Sequence, residues 1–280
     1  MTLLLTADKI TNLIKSIGID HVYQQLISQM RLDYEHWSEF QHMARICASS
    51  PHGVIELMPS YNQSHYTFKY VNGHPNNPKD NLPAVCAFGC LSSMDNGIPL
   101  LIADMTLLTA IRTACCSAMV YDGLKSDQEK INVAIIGTGA QSEFQITALH
   151  HIHPIDTVYY VDIDQNAMVK FEKNLKSYPF NMVPMQQDAP IPKDCDVVVT
   201  ATTCLLSQCL KPSMLTNDKR LVVLAIGGDG AHKSELSHEL IEQAHVIIEY
   251  LPQTKIEGEI KQAQPRHIQT IPDLFKQPSL

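Results

Sequence analysis

Ile131-Asn-Val-Ala-Ile-Ile-Gly137-Thr-Gly139-Ala-Gln-Ser142, followed further on by Asp162, is the stretch on which the reading of this chain turns. A β-branched apolar run ends in a glycine turn, and a helix-like stretch follows. That is the strand–turn–helix context a dinucleotide-binding turn requires. Gly137 permits the tight turn. Gly139 lets the backbone approach a pyrophosphate seated on the helix N-terminus. The third position of the motif is Ser142, larger than the glycine or alanine expected at a helix–strand contact. Thr157-Val-Tyr-Tyr-Val161 is a second strand, and it ends at Asp162, placed to bind the adenosine ribose hydroxyls of NAD. Both strands and the acid together favour the nucleotide reading over an ordinary strand–helix turn.

Downstream, strands and helices alternate, the pattern of a parallel sheet. Strand 131–136 leads to helix 140–151, strand 157–161, helix 164–177 and a weaker strand near 181–184. Asp196-Val-Val-Val-Thr-Ala201 is a buried strand ending at Thr202, where the carboxyl ends of the strands face a cofactor. Leu221-Val-Val-Leu-Ala-Ile226 ends in Gly227-Gly228-Asp229. Two readings of Asp229 stand side by side: a catalytic acid at the end of a buried strand, or a helix cap or loop acid. A helix over 234–244 and a strand over 245–250 follow, and the tail from Pro252 carries few regular signals.

Upstream, Thr6 or Asp8 caps a first helix to about Ile17, and Asp20 caps a second with Val22, Leu26, Ile27 and Met30 on one face. In Gly53-Val-Ile-Glu-Leu-Met-Pro59, alternation puts Val54, Glu56 and Met58 on one face. Glu56 reads equally as an exposed-face residue or a site residue. In Tyr66-Thr-Phe-Lys-Tyr-Val71, Tyr66, Phe68 and Tyr70 share a face and Lys69 lies on the other, where solvation is its commoner fate. A loop over 72–81 precedes strands 84–91 and 99–103, joined by the turn at Asp95-Asn96-Gly97. Thr106 caps a long helix to about Tyr121, with Leu108, Ile111, Cys115 and Met119 as its apolar stripe. Arg112 interrupts this nearly uncharged helix, and a buried arginine needs an anion. The polar stretch Asp122 to Lys130 marks a boundary, giving domains 1–122 and 123–280.

With 280 residues, 45% of them hydrophobic, the chain suits one large or two medium domains with packed cores. A formal net charge of −8 argues against a nucleic-acid surface. The eight cysteines form no C-x-x-C pair and mostly sit in apolar runs, so they read as buried reduced thiols of a cytoplasmic protein. Met1 to Leu5 is too short for a signal h-region, and no run approaches membrane-spanning length. His150, His151 and His153 read as a solvated helix terminus before Pro154, so no metal site is expected.

Several stretches resemble the ornithine cyclodeaminase family, shared with mu-crystallin and some alanine dehydrogenases. They are Gly53 to Pro59, Phe68 to Pro75, Met105 to Thr113, Ile136 to Gln145, Gly227-Gly-Asp229 with Lys233-Ser-Glu-Leu236, and Glu249 to Ile260. The first, second and last look like the cyclodeaminase branch. The resemblance implies an α/β fold: a Rossmann-type parallel-sheet NAD domain plus an α+β domain for substrate binding and dimerisation. It implies that Arg45, Lys69 and Arg112 hold a substrate carboxylate, that Glu56 faces the substrate amino groups, and that Asp229 is the general acid/base. By the same resemblance Gly137, Thr138, Gly139, Ala140, Gln141, Asp162, Thr202 and Lys233 line the NAD site. Three cations around one carboxylate offset its desolvation and fix its orientation. The implied reaction is L-ornithine to L-proline plus ammonia: hydride leaves the substrate Cα for NAD, the δ-amine attacks C2, ammonia departs, and the cyclic imine takes the hydride back. The implied assembly is a homodimer, and no nucleic-acid or membrane partner is expected.

Departures set the alternatives. Gly230-Ala231-His232 stands where the family has a small residue followed by Pro-Gly, which is expected to loosen the Asp229 loop. Ala84 replaces a hydroxyl that reaches the cofactor. The chain ends at Leu280, short of a family segment that closes over the nicotinamide side. The competing expectations are an NAD(P)-dependent ketimine reductase or amino-acid dehydrogenase on the same scaffold, which would consume cofactor stoichiometrically, and, from the short C-terminus, a non-catalytic NAD-binding homologue.

Overall fold

A computed structural model of the chain describes residues 1–124, 128–203, 208–216, 220–230, 232–261 and 263–276. The middle of the polar boundary stretch, Cys204 and Ala231 lie outside them. The chain divides into two compact units, Met1–Thr113 and Ala114–Leu280. The division falls inside one helix rather than in the polar stretch that follows it.

The first unit is built in the order β1 (Leu3–Leu5), α1 (Ala7–Ile17), α2 (Ile19–Glu35), β2 (Gln41–His42), β3 (Ile46–Ser50), β4 (Gly53–Tyr61), β5 (His65–Gly73), β6 (Val85–Ser93) and β7 (Pro99–Asp104), ending in the start of α3 (Thr106–Gly123). Its sheet runs β1-β7-β6-β5-β4-β2, with β3 also paired to β4. Only β1 and β7 run parallel; the other pairs are antiparallel. Thr6 caps α1 by accepting from the Lys9 N–H. α2 starts directly after Gly18, whose φ is +85°, so Asp20 sits inside the first turn and does not cap it. There its charge still complements the helix dipole. At α3 the acceptor for the Thr106 N–H is Asp104, at 3.0 Å, while the Thr106 hydroxyl accepts from Ala87 N.

Register sorts this sheet into two unlike faces. Glu56 lies opposite Cys47 and Val71, Lys69 opposite Met58 and Gly89, and Val71 opposite Ala87. Glu56, Val71, Ala87, Gly89 and Ala103 on this face are buried. The other face carries Leu4, Ile46, Ile55, Phe88 and Ile102, all exposed, with Tyr70 stacked on Phe88. The sequence period of two is therefore kept, but the face away from the charges is apolar as well.

The second unit continues with β8 (Ile131–Ile136), α4 (Ser142–Ile152), β9 (Ile155–Val161), α5 (Gln165–Leu175), β10 (Asn181–Pro184), β11 (Val197–Thr200), β12 (Val222–Ala225), α6 (His238–Gln243), β13 (His245–Ile248), α7 (Leu251–Thr254), β14 (His267–Thr270) and α8 (Ile271–Lys276). The sheet order β10-β9-β8-β11-β12 is parallel throughout, as in a Rossmann-type α/β fold. Both faces are covered, which is why the strands read as unbroken apolar runs. Ala134, Ile136, Val161 and Val198 pack into one cluster with Ile191, Leu210 and Met214. Val133, Ile135, Val158, Val197 and Val199, which point the other way, are fully buried too.

Two expectations change here. The helix foreseen over 234–244 is only α6, capped by Ser237, whose side chain accepts from Leu240 N. The tail is not irregular: β14 pairs in parallel with β13. Among the cysteines, Cys115 and Cys195 are buried but Cys47 and Cys86 are exposed, and no disulfide joins the described ones. Burial pushes the Cys195 thiol up to about 12. No described helix is long and apolar enough to cross a membrane.

Candidate functional site

In the first unit Arg45, Glu56 and Lys69 lie on or beside the buried face of the sheet. Arg45, in the link between β2 and β3, places Nη1 3.8 Å from Glu56 Oε1. Glu56 is only 8% exposed, and the Cys47 thiol donates to the same oxygen at 3.4 Å. Burial on the sheet's inner face excludes the exposed-face reading of Glu56. Lys69 projects from the adjacent strand on the same face. Arg112 is exposed, not buried, so the argument from burial fails for it. Its helix position follows Ile111 by one residue, a rotation of about 100° away from the buried stripe. Its Nη2 donates to the Tyr34 hydroxyl at 3.3 Å. Tyr34 is buried and stacks on Trp37, which in turn stacks on His42 with ring centroids 3.8 Å apart. Tyr34 was not foreseen; as a helix-end aromatic it reads from sequence as core.

In the second unit the glycine turn joins β8 to α4. Gly137 has φ +97°, and a Cβ there would lie 2.7 Å from the Ala201 carbonyl oxygen. Only glycine satisfies both constraints. Around Gly139 there is open space: a Cβ there would meet nothing within 4 Å. Ser142 is fully buried, and its hydroxyl donates to the Gly139 carbonyl at 2.7 Å, so the larger third residue secures the turn. No side chain caps the N-terminus of α4, and the buried Gln141 Oε1 has no hydrogen-bond partner. An open glycine backbone and an uncapped eleven-residue helix fit a nucleotide pyrophosphate at this end. Ala140 is exposed at the same edge.

Asp162 stands directly after β9. Its Oδ2 accepts from the Thr138 N–H at 2.6 Å and from the Thr138 hydroxyl at 3.1 Å, and its Oδ1 accepts from Asp164 N. Thr138 is fully buried, so its polar groups orient Asp162.

The remaining foreseen residues lie at the carboxyl ends of β11 and β12. Asp229 follows Gly227 and Gly228, its side chain 67% exposed, and the Lys233 ammonium donates to Asp229 Oδ1 at 2.6 Å. A Cβ at Gly227 would collide with the Thr202 carbonyl and the Glu235 carboxylate, and one at Gly228 with Glu259. The turn is therefore pressed against two carboxylates that the sequence reading missed. Glu235 has no solvent exposure. It accepts from the Thr200 hydroxyl (2.7 Å), Thr202 N (2.6 Å), the Thr202 hydroxyl (2.7 Å) and Gly227 N (2.7 Å). Burial raises its proton affinity above the usual carboxylate range, against the pull of those donors. Glu259 accepts from Ser234 Oγ, Glu235 N and Leu236 N at 2.9 to 3.0 Å. The Lys261 ammonium donates to the carbonyls of Gly230 and Lys233, and burial lowers its proton affinity. Thus the Asp229 loop, expected to be loose, is tied down on both sides. The signal in the sequence was slight: Ser234-Glu235 imitates the first turn of a helix, where an acid is unremarkable. His150 accepts from Ile155 N, and His153 lies 3.6 Å from Asp122, so each has a local role.

The ornithine cyclodeaminase/mu-crystallin family matches residues 7–275. An ornithine cyclodeaminase of Agrobacterium fabrum is 36% identical over 269 residues, which is 94% of this chain and 74% of that protein. An archaeal alanine dehydrogenase dimer with bound NAD superposes with a TM-score of 0.80 at 27% identity, covering 93% of this chain and 78% of that one. A lysine cyclodeaminase solved for its recognition of L-lysine, L-ornithine and L-2,4-diaminobutyric acid has the same fold, with a TM-score of 0.88 at 24% identity over 99% of this chain and 83% of that one.

Proposed function

The chain belongs to the ornithine cyclodeaminase/mu-crystallin family, and on that premise we propose that it converts L-ornithine to L-proline and ammonia. The cofactor is NAD, which when bound supplies a reversible hydride acceptor for the substrate Cα. The residues that would hold it are Gly137, Gly139, Ala140 and Gln141 at the pyrophosphate, Asp162 (oriented by Thr138) at the adenosine ribose, and Thr202 and Lys233 nearby. Arg45, Lys69 and Arg112 bind the substrate carboxylate, since a carboxylate leaving water needs charged donors. Glu56 accepts from the substrate's amino groups. Asp229 moves the proton: it takes one from the attacking δ-amine and returns one to the departing α-amine, which leaves as ammonia.

The observation that carries this reading is Asp229 on a two-glycine turn at the carboxyl end of a parallel strand, paired with Lys233 at 2.6 Å. The ion pair holds the Asp229 carboxylate in one orientation beside the strand end. Asp229→Ala should bind NAD as the wild type does and make no proline; appreciable turnover in that variant removes Asp229 from the chemistry.

A second reading has support in the likeness to the NAD-bound alanine dehydrogenase. In it the same clamp serves an amino-acid dehydrogenase or ketimine reductase, and the cofactor is consumed one for one with substrate. A non-catalytic NAD-binding homologue would show neither product nor consumption. We place the protein in the cytoplasm as a homodimer. The exposed apolar face with Ile46, Phe88 and Ile102 supports association, and light scattering showing a monodisperse monomer would remove it.

A further inference from the structure

The loop that carries Asp229 is held by three side chains to which the proposed function assigns no role. Glu259 and Lys261 come from one short turn, Glu259–Lys261. Lys261 grips the loop carbonyls of Gly230 and Lys233. Glu259 takes the Ser234 hydroxyl and the N–H groups of Glu235 and Leu236 immediately after Lys233. Glu235 then ties this segment to two strand ends at once: Thr200 and Thr202 beyond β11, and Gly227 beyond β12. Gly228 lies against Glu259, where any side chain would collide. Burying carboxylates is costly unless each lone pair is used. A fold needing only stability would fill this space with apolar side chains. Here seven donors converge on two carboxylates at the point where Asp229 emerges.

We infer that Glu235, Glu259 and Lys261 are positioning residues for the reaction: a latch that fixes the Asp229–Lys233 pair in the geometry for proton transfer. Glu259 and Lys261 act on the Asp229 loop alone. Glu235 acts on that loop and also on Thr202 at the nucleotide side. The inference rests on Asp229 being the proton-carrying group of the proposed reaction. Misplacement of such a group by about 1 Å can cost about 10²-fold in rate.

The test compares Glu259→Gln, Lys261→Met and Glu235→Gln with the wild type, using calorimetric titration with NAD, steady-state turnover of L-ornithine, and amide hydrogen exchange. Glu259→Gln and Lys261→Met should keep one NAD per folded chain, with Kd and ornithine KM within about threefold, while kcat falls about 30- to 100-fold. Glu259→Asp, which keeps the charge, should recover kcat to within about tenfold of wild type. Glu235→Gln should lose kcat similarly and also weaken NAD by about tenfold, because Thr202 is released. A loss of kcat matched by an equal loss of NAD stoichiometry would mean unfolding only, and kcat within about threefold of wild type in the first two variants would mean no role; either overturns the latch. Should the wild type itself not turn over L-ornithine, the cyclodeaminase reading falls, and hydrogen exchange still decides the latch. In Glu259→Gln the amides of Gly227 to Gly230 should then exchange at least about tenfold faster while those of β8 and β11 stay unchanged, and unchanged loop rates would overturn it.

Discussion

The two sheets of this protein treat polarity in opposite ways. In the second unit, β8, β9 and β11 are apolar on both faces, and the polar groups gather where the strands end. In the first unit the polarity lies within the sheet itself: Glu56 and Lys69 project from strand interiors on the inner face, and the outer face exposes Ile46, Phe88 and Ile102. A doubly covered parallel sheet has no room for a charge between its layers, so chemistry moves to the loops. A singly covered antiparallel sheet can hold charge along its strands, provided the charges find partners, as Arg45 and Glu56 do. The difference teaches where each unit tolerates change.

The largest effect should come at a strand end. Asp229→Ala should lower kcat by about 10³- to 10⁴-fold with NAD affinity retained, as isothermal titration alongside product assay would reveal. Next comes a strand interior of the second unit. Ile135→Ala, at a fully buried position, should cost about 2 to 5 kcal/mol in denaturant melts. Ile102→Ala on the exposed face of the first sheet should stay within about 0.5 kcal/mol for the isolated chain. Equal losses at both positions would break the contrast between the sheets. Gly137→Ala tests the turn: at φ +97° and pressed against Ala201, an added methyl should destabilise by about 1 to 3 kcal/mol and weaken NAD. Tyr34→Phe removes the hydroxyl that receives Arg112 and should raise the ornithine KM by about fivefold, a loss of about 1 kcal/mol, with kcat little changed. The smallest effect is chemical. At neutral pH the exposed Cys47 should react with a thiol reagent in the native protein, whereas Cys195, held near 12 by burial, should react only on unfolding.

The second unit was the more legible in the sequence. Its strands are β-branched runs bounded by glycine or by caps, and β8, β9, β11 and β12 fall within two residues of where pattern puts them. β14 escaped because His267-Ile-Gln-Thr270 holds a single strongly apolar residue and gains its identity from pairing with β13. α6 was overextended because Ser234-Glu235 resembles a helix start, while tertiary hydrogen bonds draw Glu235 into the buried network instead. Of the candidate site, local chain geometry placed Gly137 on its turn and Asp162 at its strand end, whereas the residues alone left Asp229 open between a catalytic acid and a loop acid, and only the resemblance chose between them. Arg112 was misjudged because apolar neighbours in sequence do not mean apolar surroundings on a helix. Glu235, Glu259 and Lys261 were invisible because their roles exist only across long sequence separations, and a lone acid or lysine in a loop looks solvated until the fold surrounds it.

The most direct measurement of the central claim is to incubate the purified protein with L-ornithine and a trace of NAD⁺ and to quantify proline and ammonia. A cyclodeaminase returns its hydride within each turnover, so proline and ammonia should appear in equal yield, far above the amount of NAD⁺ present. Proline absent, or product capped at the amount of cofactor with NADH accumulating, would contradict the claim.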